Sequence, residues 1–159
     1  MCVCLCFLPH RTVHYTGSYN AKGPGYLSVY GWTRNPLVEY YIVEGWDELA
    51  PGEPWTLRGN YTSQGGNYAF YTAQRVNKPS IEGTRTFTQY FSVRAESEKR
   101  LGASVSGTIN TADHFDFWQS KGYRLGNFEA NMFMITEAFA NQNIAGTKLP
   151  SGTSTITVS

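Results

Sequence analysis

From Arg11 onward the chain consists of short runs that alternate apolar and polar residues, broken every few positions by Gly, Asn or Pro. A period of two sends successive side chains to opposite faces of a strand, a pattern that gives a helix no apolar stripe. The runs Thr12 to Tyr19, Tyr26 to Trp32, Leu37 to Glu44, Asn67 to Arg75, Thr84 to Arg94, Ser104 to Asn110, Glu129 to Phe139 and Ser154 to Val158 are rich in Val, Ile, Thr, Tyr and Phe, and read as strands. Many short strands with Gly-rich turns predict an all-β sandwich, of the jelly-roll type, with one exception in the chain. The segment Thr111 to Gly122 has a candidate N-cap in Thr111, an acid, Asp113, in its first turn, Lys121 in its last, and Gly122 just past the end. Phe115 and Trp118, three apart, would share a face, which predicts one short helix lying across a sheet. No internal repeat or long linker interrupts the chain. The reading is one domain over residues 11–159, preceded by a segment, 1–10, of different composition.

Charge narrows the function classes. With charged residues at 16% and a formal net charge of +1, the chain has no basic field for nucleic acid and no acidic tail. A neutral polymer needs neither. Aromatic residues reach 15%, which suits a half-buried β core and equally suits stacking against sugar rings; composition leaves both open. All three cysteines, Cys2, Cys4 and Cys6, precede the body of the chain, which therefore has no disulfide framework, and no His or Asp cluster nearby completes a metal-ligand set. Met1 to Leu8 is apolar but lacks a charged n-region, a full-length h-region and a small-residue cleavage site. It reads as neither a complete signal peptide nor an anchor, and no membrane partner is expected.

Most of the 12 acidic residues have a structural explanation. Asp47, Glu48 and Glu53 fall in a loop, Glu96 and Glu98 flank Lys99 and Arg100 in a turn, and Asp113 and Asp116 belong to the helix. Glu39 and Glu137 differ. Glu39 lies inside the strand Leu37 to Glu44, with Tyr41 on its face and Tyr40 and Ile42 on the other. Glu137 shares a face with Phe133 and Ile135. A carboxylate on an aromatic face must be hydrogen-bonded, shifted in pKa or exposed in a cleft. Two such acids suit a glycosidase, which needs one nucleophile and one acid of raised pKa. Two acids on the solvent face of a sheet are the plainer alternative.

The words around them are more specific. Tyr26-Leu-Ser-Val-Tyr-Gly-Trp-Thr-Arg-Asn-Pro-Leu-Val-Glu-Tyr-Tyr-Ile-Val-Glu44 resembles the signature stretch of glycoside hydrolase family 11 xylanases. Arg75-Val-Asn-Lys-Pro-Ser-Ile-Glu-Gly83 is similar to the thumb hairpin of that family. Thr86-Phe-Thr-Gln-Tyr-Phe-Ser-Val-Arg94 and His114-Phe-x-x-Trp118 are similar to its next strand and helix, Met134-Ile-Thr-Glu137 to its acid/base strand, and Ser154-Thr-Ile-Thr-Val158 to its closing strand. The resemblance runs in register from about Arg11 to the end. It implies a jelly roll that hydrolyses β-1,4-xylan with retention, with Glu39 as nucleophile and Glu137 as general acid/base. It further implies that Tyr30 and Gln89 hydrogen-bond the nucleophile and favour its ionised form, that Tyr41 lies close to the acid/base, and that Arg75 and the backbone of Pro79 hold the sugar. The implied partners are xylan or xylo-oligosaccharides. A secreted monomer is expected, with no metal or cofactor.

Two departures from the family pattern stand out. The family's Gly-Tyr-Gln and short turn after the acid/base are replaced by a longer loop, Ala138 to Pro150. The family also carries further strands before the one matched to Thr12 to Ser18, and Met1 to His10 is not expected to replace them. The chain then reads as a fragment, a mis-started gene model or a divergent member, and an incomplete sandwich with an unpaired strand beside the cleft is expected. Three functions compete: an endo-xylanase, a truncated relative that at most binds xylan, and an unrelated β-sandwich binding module. The last has no need of both glutamates. Asn60-Tyr-Thr62 matches the N-glycosylation acceptor pattern.

Overall fold

Eleven strands and one helix form along the chain in a computed structural model, which describes residues 10–49, 54–129, 131–139 and 150–159 together with the backbone of 2–6. The strands are β1 (Cys2–Cys6), β2 (Thr12–Lys22), β3 (Gly25–Arg34), β4 (Val38–Trp46), β5 (Thr56–Ser63), β6 (Gly66–Ser80), β7 (Gly83–Arg94), β8 (Gly102–Asn110), β9 (Asn127–Phe128), β10 (Asn131–Ala138) and β11 (Ser151–Val158); the helix α1 spans Thr111–Ser120. They make two sheets. The larger runs β1-β10-β3-β4-β7-β6-β5, with β9 beside the end of β3; the smaller runs β11-β2-β8. Every pairing is antiparallel except that of β4 with β7, which is parallel. No helix among the described residues is long and apolar enough to cross a membrane.

Three strands were not expected: β1, β5 and the two-residue β9. β5 offers only Leu57 and Tyr61 as large apolar residues, because it is an edge strand with little to bury. A two-residue turn with Gln64 and Gly65 both at positive φ closes its hairpin with β6. β1 pairs along β10 from Cys2↔Ile135 to Cys6↔Asn131 and β3 pairs with it from Phe133 to Ala138, so β10 has a strand on each side over residues 133–135. The expected unpaired strand beside the cleft is thereby corrected in part: β1 pairs that edge of β10 up to Ile135 and does not reach Glu137. The side chains of Cys2, Cys4 and Cys6, as well as Glu53 and residues 140–149 of the long loop, lie outside the described residues. The N-cap is also corrected. Asn110 caps the helix by accepting from the Ala112 amide at 3.2 Å, whereas the Thr111 hydroxyl is buried and accepts from the Arg11 amide at 2.9 Å. Gly122, at φ 84°, ends the helix as its place in the sequence predicts.

Strand parity sorts the larger sheet into two faces. Leu27 and Val29 of β3, Tyr40 and Ile42 of β4, Phe70 of β6, Tyr90 of β7 and Met132 and Met134 of β10 turn inward, against Val13 and Tyr15 of β2, Ile109 of β8 and Phe115 and Trp118 of α1. This is the main core, worth about 1.5–3 kcal/mol for each fully buried large side chain. It contains one charge pair. Glu44 is fully buried; its carboxylate accepts from Tyr15 Oη at 2.7 Å, from the Tyr68 hydroxyl, and from Arg94 Nη1 at 3.1 Å. Nearby, His114 is also fully buried, and burial pushes it down to about 3, so it stays neutral while Tyr61 Oη meets its Nδ1 at 2.5 Å. Replacing Arg94 with Met should strand the Glu44 charge and cost about 3–5 kcal/mol, read as a lower midpoint in denaturant unfolding. Glu44→Gln combined with Arg94→Met should recover much of that loss, because Gln carries no charge: its Oε1 accepts from one tyrosine and its Nε2 donates to the hydroxyl oxygen of the other.

Candidate active site

The opposite face of the same strands builds a cleft. Glu39 and Tyr41 alternate with the core residues of β4, and the neighbouring registers decide what stands beside them. Across β3, Trp32 is opposite Glu39 and Tyr30 is opposite Tyr41. Across the parallel pairing, Gln89 is level with Glu39 and Phe91 with Tyr41. One strand further, the buried Ala73 sits opposite Gln89, so a small side chain leaves room there. Glu137 lies on β10, beyond β3 and opposite Tyr26. The register staggers the two acids along β3, and the twist of the sheet brings both into one cavity of about 300 Å³. Gly25 makes the approach of β10 possible, for a Cβ there would stand 2.5 Å from the Glu137 carbonyl oxygen.

Glu39 is 8% exposed and its carboxylate is heavily solvated by protein. Oε2 accepts from Gln89 Nε2 at 2.6 Å; Oε1 accepts from Tyr30 Oη at 3.0 Å and from Tyr41 Oη at 3.2 Å. Trp32 Nε1 in turn donates to Tyr30 Oη at 2.5 Å, which orients that hydroxyl toward Glu39. Tyr41 stacks on Phe91 at 4.9 Å and Phe91 on Trp55 at 4.6 Å, so its hydroxyl is held by packing as well. Around Glu137 the pattern is reversed. Its Oε2 is buried and, like Gln89 Oε1, has no hydrogen-bond partner among the described residues. Buried polar atoms of this kind mark where a water or a ligand group completes the set.

All seven residues singled out from the sequence meet here. Glu39, Glu137, Tyr41, Arg75, Pro79 and Gln89 line the cavity, and Tyr30 reaches it through Glu39. Tyr26, Lys78, Phe87, Phe91 and Phe139 line it too and were missed. Parity carried a signal for four of them: Phe87 and Phe91 lie two residues either side of Gln89, Phe139 two beyond Glu137, and Tyr26 four before Tyr30. Trp32 likewise shares the face of Tyr30. Lys78 had no such signal, because the hairpin bends between Arg75 and Lys78 and breaks the alternation.

The model of the glycosyl hydrolases family 11 matches residues 8–148 of this sequence. The chain belongs to that family. It is 42% identical over 149 residues to ethylene-inducing xylanase 1 of Verticillium dahliae, covering 94% of this chain and 60% of the relative. It is 43% identical to ethylene-inducing xylanase of Penicillium digitatum over 94% of this chain and 62% of the relative, and 49% identical to endo-1,4-beta-xylanase I of Cochliobolus carbonum over 73% and 50%. The chain thus spans about 60% of the length of the first two relatives. The jelly roll expected from the sequence is the fold of this family 11 member.

In this family 11 cleft the two carboxyl groups have unequal surroundings. Burial raises Glu39 above the ordinary carboxylate range, while Gln89, Tyr30, Tyr41 and the Arg75 charge pull it back. The hydrogen bonds favour its ionised form, and burial, the largest effect, opposes them. Among the described residues no hydrogen-bond partner meets Glu137 Oε2; burial, then the Glu39 charge, raise Glu137 from 4.5 to about 6. Three donors therefore make Glu39 the better-stabilised anion of the two. A carboxyl 13C titration should place the Glu137 midpoint near 6, and Glu39→Gln should lower it by removing the neighbouring charge. The folded state holds this proton more tightly than the unfolded chain. Its contribution to stability is accordingly full below 4.5 and lost as pH rises through about 6.

Proposed function

We propose that this cleft hydrolyses internal β-1,4 bonds of xylan with retention, Glu39 acting as nucleophile and Glu137 as general acid and then base. The observation that carries this reading is the contrast within one cavity: Glu39 receives three side-chain hydrogen bonds, whereas Glu137 keeps its proton to about 6. Membership of the glycosyl hydrolases and the xylanase names of the relatives supply the substrate class.

In the first step a Glu39 oxygen attacks the anomeric carbon as the glycosidic bond breaks, and Glu137 gives its proton to the departing oxygen. The products are a glycosyl ester on Glu39 and a shortened chain with a free hydroxyl. In the second step Glu137, now a carboxylate, takes a proton from water whose oxygen attacks the same carbon, freeing Glu39 and restoring the Glu137 proton. Two inversions give retention. Gln89 on one oxygen and Tyr30 and Tyr41 on the other hold the Glu39 carboxylate for attack, and the donors on the oxygen that does not attack remain for the carbonyl oxygen of the ester. Arg75 and Pro79 are the proposed contacts to the sugar. Secretion belongs to the same reading, since xylan is an extracellular polymer.

Removing each acid separates the roles. Glu39→Ala should abolish formation of the glycosyl ester, detected by mass spectrometry after a fluorinated xylobioside is added. Glu137→Ala should lose about 10²–10⁴-fold on xylan but far less on an aryl xylobioside whose leaving group needs little protonation. For the unmodified protein, kcat/KM should fall above a pH of about 6 as Glu137 loses its proton. Appreciable activity of Glu39→Ala on the aryl substrate would reverse the assignment; binding of xylo-oligosaccharides without any turnover would reduce the function to binding.

A further inference from the structure

The hairpin between β6 and β7 extends past the cleft and carries Arg75, Lys78 and Pro79 into its lining. Its register breaks between Arg75 and Lys78, where Asn77 takes a φ of 51°, and then resumes from Lys78↔Arg85 to Ser80↔Gly83. Residues 76–79 and 83–86 are exposed, so little packing holds this end of the hairpin. The tip itself is well formed: Ser80 Oγ donates to the Gly83 carbonyl at 2.7 Å and accepts from the Glu82 amide at 3.0 Å. Among the described residues, the polar contacts of the tip outside the hairpin converge on one side chain, Arg34. Arg34 Nη1 stands 2.8 Å from Glu82 Oε1, and Nη2 lies 3.5 Å from the Ile81 carbonyl.

Arg34 is itself held from behind. Its Nε donates to Glu129 Oε1 at 2.5 Å, and the Glu129 amide donates to the Trp32 carbonyl at 3.1 Å. Thr33 and Arg34 pair with Phe128 and Asn127, so this corner of β3 and β9 is a fixed part of the sheet. The guanidinium is a rigid planar fork. With its Nε edge bound to Glu129, its Nη edge is aimed at the hairpin tip. Glu129 orients Arg34, and Arg34 then meets Glu82.

We propose that Arg34 is a positioning residue that latches the hairpin tip over the cleft through Glu82, and so sets how firmly Lys78 and Pro79 close on a bound chain. The proposal rests on the reading that the cleft binds a polysaccharide. All three partners are about a third exposed, at 38%, 30% and 36% for Arg34, Glu82 and Glu129. Such a pair is weak enough to open in each catalytic cycle and is screened by salt.

Two measurements test it, one of which needs no substrate. In Glu82→Gln, hydrogen exchange of the amides in residues 76–86 should quicken with an unchanged melting temperature. Raising salt should quicken the same amides in the unmodified protein and not in the variant. On xylohexaose, Glu82→Gln should raise KM by about two- to fivefold, the weight of a surface ion pair, with kcat changed less than about twofold. Adding Glu82→Gln to Arg34→Gln should change neither readout further, because the partner is already gone. Unchanged exchange and KM in Glu82→Gln, or additive effects of the two substitutions, would overturn the latch. Faster exchange in a protein that does not turn over xylohexaose would support the latch and overturn the functional reading instead.

Discussion

The structure depends on burying a strand that carries a carboxylate on each face. β4 is buried at every position, with Glu39 turned to the cleft and Glu44 to the core. Neither charge could stay there unaided, since moving an ionised carboxyl out of water costs several kcal/mol even after the protein relaxes. The two are compensated differently. Glu44 meets a cation, Arg94, and two hydroxyls contributed by different sheets: Tyr15 from the smaller and Tyr68 from the larger. That arrangement ties the two layers together and leaves nothing for a ligand to do. Glu39 is surrounded by neutral donors, which stabilise the anion while leaving it able to react.

The parallel contact between β4 and β7 is what makes this division possible. It sets Gln89 level with Glu39 although the two are 50 residues apart. The same contact aligns Tyr41 with Phe91, whose rings stack at an interplanar angle of 11°. Trp55 extends this stack beyond Phe91, and Tyr26 meets Tyr41, Phe91 and Trp55, so that the four rings form one aromatic floor. Rigidity here has a chemical consequence: a donor whose rotamer is locked need not reorganise when charge develops on its partner.

The cleft is therefore uneven in firmness. Its floor belongs to the centre of a sheet, packed on the core beneath. Its roof is the end of a hairpin bent away from the ladder and joined to the rest of the molecule through an ion pair at the surface. The proposed function calls for such a combination, because a polymer that enters, reacts and leaves needs reacting groups of fixed geometry under a cover that opens.

From its residues alone the chain declared its class. Alternation in Tyr- and Val-rich runs is a local property, so most strands, the helix and the two faces of β4 were legible, as were the two acids set among aromatics. Family motifs carried the remaining named site residues. Where the local signal was weak, tertiary structure decided. Edge strand β5 buries too little to write an apolar pattern, and Asn110 displaced Thr111 as the cap because Arg11, just before β2 and 100 residues away, occupies the threonine hydroxyl. The same holds for chemistry. Which of two similar carboxyls keeps its proton, how Glu44 is neutralised, and what Arg34 reaches all depend on groups brought together by sheet register, such as Tyr68 24 residues from Glu44, Gln89 50 from Glu39 and Glu129 95 from Arg34. Periodicity places a side chain on a face, but only the folded sheet determines its neighbours, and electrostatics is set by neighbours.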